Sequence, residues 1–177
     1  MITLMDNKER NILITEEEIR DKVLEMGATI SKDYEGKKLY VLTLLRGSFI
    51  FTADLVRAID VDTTIGFMTT SSYGHGETSL GVCEVVNDVP DNIEGYDVLI
   101  VDDIIDTGIT MEFVYNYVKS KGARTVKTCT LLDKPSRRKV DLIADYTCFE
   151  IEDVFVVGYG LNYGDFYRNV PYVFNWK

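Results

Sequence analysis

V-L-I-V-D-D-I-I-D-T-G-I-T, residues 98–110, is the stretch on which fold and chemistry both turn. Its first half belongs to a short apolar run, Y-D-V-L-I-V-D-D (96–103), which reads as a buried strand ending in two acids, Asp102 and Asp103. A loop with Asp106, Thr107, Gly108, Ile109 and Thr110 then enters a helix over 107–121, stopped by Gly122. Free backbone N–H groups, the positive dipole end, a glycine for close approach and two hydroxyls make such a helix start an anion site. Acids beside an anion site need a different partner. Ribose hydroxyls and Mg²⁺ both pair with carboxylates, so a phosphorylated sugar would satisfy the whole segment. Helix capping by Asp106 or Thr107 would explain one residue and leave the acid pair and the Gly-Ile-Thr run unaccounted for. A Walker-B reading of the acid pair fails because the chain has no G-x-x-x-x-G-K-[ST].

Outward from this segment, strands alternate with helices. Thr15 and Glu18 form a capping box, and Ile19, Val23, Met26 and Ile30 follow on one helical face. Residues 38–45 read as a buried strand, 49–59 as a helix with Phe49, Leu55 and Ile59 for packing, and 63–70 as a second strand. Residues 71–81, with three glycines, read as a flexible loop, and 81–86 as a short strand. A further strand spans 125–132, and 146–151, 154–157 and 171–176 are shorter candidates. The pattern predicts an α/β fold, a central mostly parallel sheet flanked by helices, in one domain over 1–177. In such sheets ligands sit at the carboxyl ends of the strands, which singles out the loops after residues 45, 70, 103 and 132.

Composition narrows the function classes. The 177 residues are 46% apolar and 27% charged, which excludes a disordered or fibrous chain. A net charge of −10 argues against a nucleic-acid binder, while an acidic protein can still hold phosphates through Mg²⁺ and backbone amides. Cys83, Cys129 and Cys148 are far apart and form no C-x-x-C, which reads as buried thiols in a reducing compartment. With His75 the only histidine, no soft-metal cluster can form. The N-terminus has no signal-peptide pattern, and no apolar stretch approaches the ~20 residues of a membrane span. A cytoplasmic location is expected.

The 98–110 segment resembles the phosphoribosyl-pyrophosphate (PRPP) motif of type I phosphoribosyltransferases. More narrowly, the chain resembles the bacterial 6-oxopurine branch of that family, the hypoxanthine-guanine phosphoribosyltransferases. L-L-R-G-S-F-I-F-T-A-D-L (44–55) resembles the family's pyrophosphate loop and helix, and S-S-Y-G (71–74) its active-site lid. L-L-D-K-P-S-R-R (131–138) and F-E-I-E-D-V-F-V-V-G-Y-G-L-N-Y (149–163) resemble its purine site. The resemblance implies the type I phosphoribosyltransferase fold, with a small hood built from the chain ends. It implies that PRPP and hypoxanthine or guanine give IMP or GMP plus pyrophosphate, with Mg²⁺ as cofactor, in a homodimer or homotetramer.

The same resemblance implies roles. Asp102 and Asp103 would hold the ribose hydroxyls and the metal, and Asp106 would be the general base. Asp106, Thr107, Gly108, Ile109 and Thr110 would cradle the 5′-phosphate. Leu45, Arg46, Gly47 and Arg168 would bind pyrophosphate, with a cis peptide at Leu45–Arg46. Ser72 and Tyr73 would lie on the lid, with His75 an exposed loop residue near its tip. Lys134 would donate to the purine O6, Phe155 would stack on the base, and Val156 and Asn162 would complete the purine site. Three positions depart from the family pattern: Asp102 for Glu, Arg46 for Lys, and Asn162 for an Asp that helps ligate a second Mg²⁺. Two other functions compete: an RNA-binding regulator like the pyrimidine-operon attenuators, which tend to have two aspartates at the motif, and a catalytically weak interaction protein.

Overall fold

A computed structural model of the chain describes residues 9–73, 82–89 and 92–176. The element order is β1 (Arg10–Ile14), α1 (Glu16–Asp33), β2 (Leu39–Leu45), α2 (Phe49–Ala58), β3 (Thr63–Tyr73), β4 (Val82–Asn87), β5 (Asp97–Ile105), α3 (Ile109–Ser120), β6 (Thr125–Asp133), β7 (Tyr146–Glu150) and β8 (Val173–Trp176). Six strands form one sheet in the order β4-β3-β2-β5-β6-β7. All neighbours are parallel except β3–β4, so the five strands β3, β2, β5, β6 and β7 present their carboxyl ends on one side. β2 is buried along nearly its whole length because helices cover both faces. On one face Leu39, Val41, Leu99, Val101 and Cys129 pack against α1 and α2. On the other, Leu42, Val98 and Ile100 pack against Met111, Val114 and Val118 of α3.

The start of α1 forms as its spacing predicts. Thr15 Oγ1 accepts from the Glu18 N–H at 3.2 Å, and Glu18 accepts from the Thr15 N–H at 2.8 Å. In α2 the packing falls partly on other residues: Phe49 is exposed, while Phe51 and Leu55 are fully buried. Cys129 and Cys148 are buried as expected, and Cys83 is only half-buried. No described helix is long and apolar enough to cross a membrane.

Several elements differ from the expected pattern. Ser71–Tyr73, expected in a loop, extend β3, because antiparallel pairing with β4 (Ser72 with Cys83, Tyr73 with Val82) satisfies their backbone. The rest of that loop, residues 74–81 with His75, lies outside the described residues. The strand candidate at 154–157 does not form: the Val154 N–H turns back to Glu152 O, and only Val157 makes an isolated bridge, to Phe174. β1 carries no strand signal of its own and pairs antiparallel with β8, Arg10 opposite Trp176. That two-stranded sheet is the hood from the chain ends.

Candidate active site

The carboxyl ends of β2, β5 and β6 bring together what the sequence scatters over 90 residues. β5 runs on to Ile105, so Asp102 and Asp103 sit inside its last turns rather than after its tip. Each carboxylate folds back on the chain: Asp102 Oδ1 accepts from the Asp103 N–H at 2.9 Å, and Asp103 Oδ1 from the Ile104 N–H at 3.0 Å. Burial pushes the Asp102 carboxyl well up, and the neighbouring Asp103 charge pushes it further. Burial raises Asp103 too, against the opposing pull of its hydrogen bonds and of the Arg168 charge. Neither acid has a salt bridge among the described residues, nor does any cluster of three potential metal-ligating side chains occur there. Two adjacent, half-buried carboxylates with no ion-pair partner among the described residues fit a hard divalent ion that would draw its other ligands from substrate oxygens and water.

The segment expected to hold the phosphate, 106–110, is open at the helix start. Gly108 is the N-cap of α3 with φ 82°, a left-handed conformation that favours glycine, and no side chain caps the helix. Thr107 Oγ1 makes only a long contact with the Ile109 N–H, 3.4 Å, so Asp106 and Thr107 are not the caps. Thr110 Oγ1 lies 3.9 Å from Cys83 Sγ on β4. The segment after β6 clamps this loop from outside. Lys139 N–H donates to Thr107 O at 2.9 Å, and Arg138 donates to Asp106 O at 2.8 Å and to the Asp133 carboxylate. A side chain at residue 108 would meet Arg138 and Val140 at 2.8 Å.

The pyrophosphate-loop candidates stand beside the acid pair. The Leu45–Arg46 peptide is cis. Arg46 is exposed, with no ion pair among the described residues. The Gly47 backbone lies directly against the Asp103 carboxylate, and Gly160 lies directly over Gly47 O. Arg168 donates to Gly160 O at 2.6 Å, so its guanidinium braces this stack. Tyr159 anchors the same segment to α2 through Asp54 at 2.5 Å.

Among the residues expected at the purine, Lys134 is 6% exposed, which no ordinary basic loop would give a lysine. Its charge faces Asp153 at 3.6 Å. Val156 is buried, whereas Phe155 is 60% exposed, with its ring edge-to-face with Tyr163 at 6.0 Å. The Asn162 amide donates to Gly164 O within its own turn, a bond a carboxylate could not make. Ser72 and Tyr73 lie on the β3 arm of the β3–β4 hairpin. Arg137 was not singled out in the sequence, yet its Nε donates to Asp106 Oδ1 at 3.1 Å. Asp153, Arg138 and Gly160 were missed likewise. The sequence offers the two arginines only as members of L-L-D-K-P-S-R-R (131–138), and nothing local marks the other two.

Known proteins resemble this chain in sequence and in fold. A family model for the phosphoribosyl transferase domain matches residues 12–164. A curated relative, hypoxanthine-guanine phosphoribosyltransferase of Streptococcus agalactiae serotype V, is 44% identical over 170 residues, 96% of this chain and 94% of the relative. A crystal structure of a hypoxanthine phosphoribosyltransferase from Staphylococcus aureus superposes with a TM-score of 0.93 at 42% identity, over 100% of this chain and 96% of that one. A Bacillus anthracis hypoxanthine-guanine phosphoribosyltransferase structure gives 0.89 at 42% identity, over 97% and 99%.

Proposed function

The chain belongs to the phosphoribosyl transferase family, and from that premise we propose that it transfers the 5-phosphoribosyl group of PRPP to a 6-oxopurine. Hypoxanthine gives IMP and guanine gives GMP, each with release of pyrophosphate, a reaction of purine salvage. The observation that carries the purine class is Lys134. A nearly buried ammonium has three donors and no acceptor, and Asp153, its anionic neighbour among the described residues, is beyond hydrogen-bond length. A purine O6 satisfies it.

In this reading the transfer is positioning plus charge stabilisation, because the ribose C1 develops oxocarbenium character as pyrophosphate leaves. The N–H groups at the start of α3, with Thr107 and Thr110, hold the 5′-phosphate. Asp102 and Asp103 hold the ribose hydroxyls and Mg²⁺. When bound, Mg²⁺ offsets the charge of the departing pyrophosphate. Leu45, Arg46, Gly47 and Arg168 bind that group. Lys134 orients the base through O6, Phe155 stacks on it, and Val156 and Asn162 border it. Asp106 takes the proton from the purine ring. Ser72 and Tyr73 keep water from the reacting centre, where hydrolysis of PRPP is the competing reaction.

One domain carries the reaction, in a cytoplasmic homodimer or homotetramer. Light scattering of the purified chain tests the assembly. The RNA-binding and interaction-protein alternatives draw no support from the relatives, whose names are those of purine enzymes. The decisive experiment is an absorbance assay of hypoxanthine, guanine, xanthine and adenine with PRPP and Mg²⁺. Turnover of a 6-oxopurine is expected. No turnover of any base would overturn the reading.

A further inference from the structure

Four charged side chains form a row at the purine end of the site, and the reading above uses only the two outermost. Lys134 Nζ lies 3.6 Å from Asp153 Oδ1, Asp153 Oδ2 accepts from Arg137 Nη1 at 3.4 Å, and Arg137 Nε donates to Asp106 Oδ1 at 3.1 Å. Charges alternate along the row, which runs from the buried Lys134 to side chains of Asp153, Arg137 and Asp106 that are 40–50% exposed. Arg138, next in the chain, takes no part: it is held by Asp133 and the Asp106 carbonyl. While Arg137 Nε donates to Asp106 Oδ1, a purine N–H must compete with the guanidinium for that oxygen.

We propose that Arg137 is a latch on Asp106, opened when the purine O6 draws Lys134 away from Asp153. Both contacts of Asp153 are at or past the outer limit of a hydrogen bond, so it is shared by two cations and held firmly by neither. Once Lys134 turns to O6, Asp153 takes the guanidinium as its sole partner. Asp106 Oδ1 is then open, and the proton of the purine N–H passes to it as the ring nitrogen bonds to the ribose C1 and pyrophosphate departs. A 6-amino purine offers Lys134 a donor instead of an acceptor, leaves Lys134 on Asp153, and leaves the latch shut. Recognition of O6 and release of the base become one event. Arg137 and Asp153 are thus positioning residues. The inference rests on the roles assigned above to Lys134 and Asp106.

The test is steady-state kinetics with hypoxanthine for Asp153→Asn, Arg137→Met and the double variant. Both side chains are about half exposed, so the fold should tolerate their replacement. Asp153→Asn strands Arg137 on Asp106, and kcat falls about fivefold while the KM for PRPP stays put. In the Arg137→Met background there is no latch to open, and the same Asp153→Asn change alters kcat less than about twofold. Arg137→Lys keeps the charge but cannot span two carboxylates, and it behaves like Arg137→Met. Equal effects of Asp153→Asn in both backgrounds overturn the latch. Lys134→Ala and Asp106→Asn are assayed alongside. Near-normal rates there mean that the reading of the site has failed. Their expected losses, with no coupling between 137 and 153, mean that the latch alone has failed.

Discussion

Gly47 rests directly on the carboxylate of Asp103, leaving no space for a methyl group between the β2 loop and the β5 acid. Gly160 rests in turn over Gly47 O, and Arg168 braces Gly160. Three chain segments meet at one point because two of them lack side chains there. Gly47→Ala should displace Asp103 or the loop. The expected loss in kcat/KM for PRPP is ~10²-fold, since small misplacements of a positioned group are costly. Circular dichroism should show the fold kept. A variant with normal PRPP kinetics would mean that Asp103 does not hold the substrate.

Asp106→Asn keeps size and removes the proton acceptor. kcat should fall ~10²–10⁴-fold, with PRPP binding largely retained. Rapid-quench measurement of the chemical step, with equilibrium binding of PRPP, separates the two effects. A near-normal kcat would rule Asp106 out as the base.

Lys134→Ala should raise the purine KM far more than the PRPP KM. The wild type should prefer hypoxanthine over adenine by ~10⁴-fold, because adenine leaves a buried donor facing another donor. Steady-state kinetics with each base decides it. Efficient use of adenine by the wild type would remove the 6-oxopurine assignment.

Asn162→Asp should lower the Mg²⁺ concentration for half-maximal rate, since a carboxylate grips a hard cation better than an amide. The same change forfeits the amide's bond to Gly164 O, so a small loss of thermal stability, about 1 kcal/mol, should accompany it. A Mg²⁺ titration of the rate read beside a melting curve checks both. An unchanged Mg²⁺ dependence would show that residue 162 does not touch the metal, directly or through water.

Asp97, at the opposite end of β5 from the site, ties the sheet's base. Its burial alone would raise the carboxyl, but hydrogen bonds from Arg124 at 2.5 Å and Thr125 at 2.6 Å outweigh that and hold it below the usual carboxylate range. A lowered native pKa contributes stability that is present above the unfolded value, about 3.9, and lost as pH falls through the lowered one. Asp97→Asn should therefore melt lower than wild type near pH 7, by about 2 kcal/mol, and the gap should close toward pH 2. A gap independent of pH would mean that Asp97 is not stabilising through its charge.

What the chain determines by itself is whatever is encoded within a turn or one run of residues. The capping box of Thr15 and Glu18, the apolar runs of β2 and β5, the helix stop at Gly122 and the open helix start at Gly108 all depend on neighbours a few residues away. The acid pair and the loop at 106–110 are legible for the same reason, being one compact motif at a strand end, whereas Lys134 is singled out only by the family resemblance of the segment around it. Only the tertiary structure decides the pairing of β1 with β8, the extension of β3 through Tyr73, the burial of Lys134, the seat of Gly47 on Asp103 and the row from Lys134 to Asp106. Each of these joins residues from different elements. Hydrophobic periodicity states which face of an element is covered, but not which neighbour covers it. That neighbour is set by the order β4-β3-β2-β5-β6-β7, and this order brings β2, β5 and β6 together at one end of the sheet.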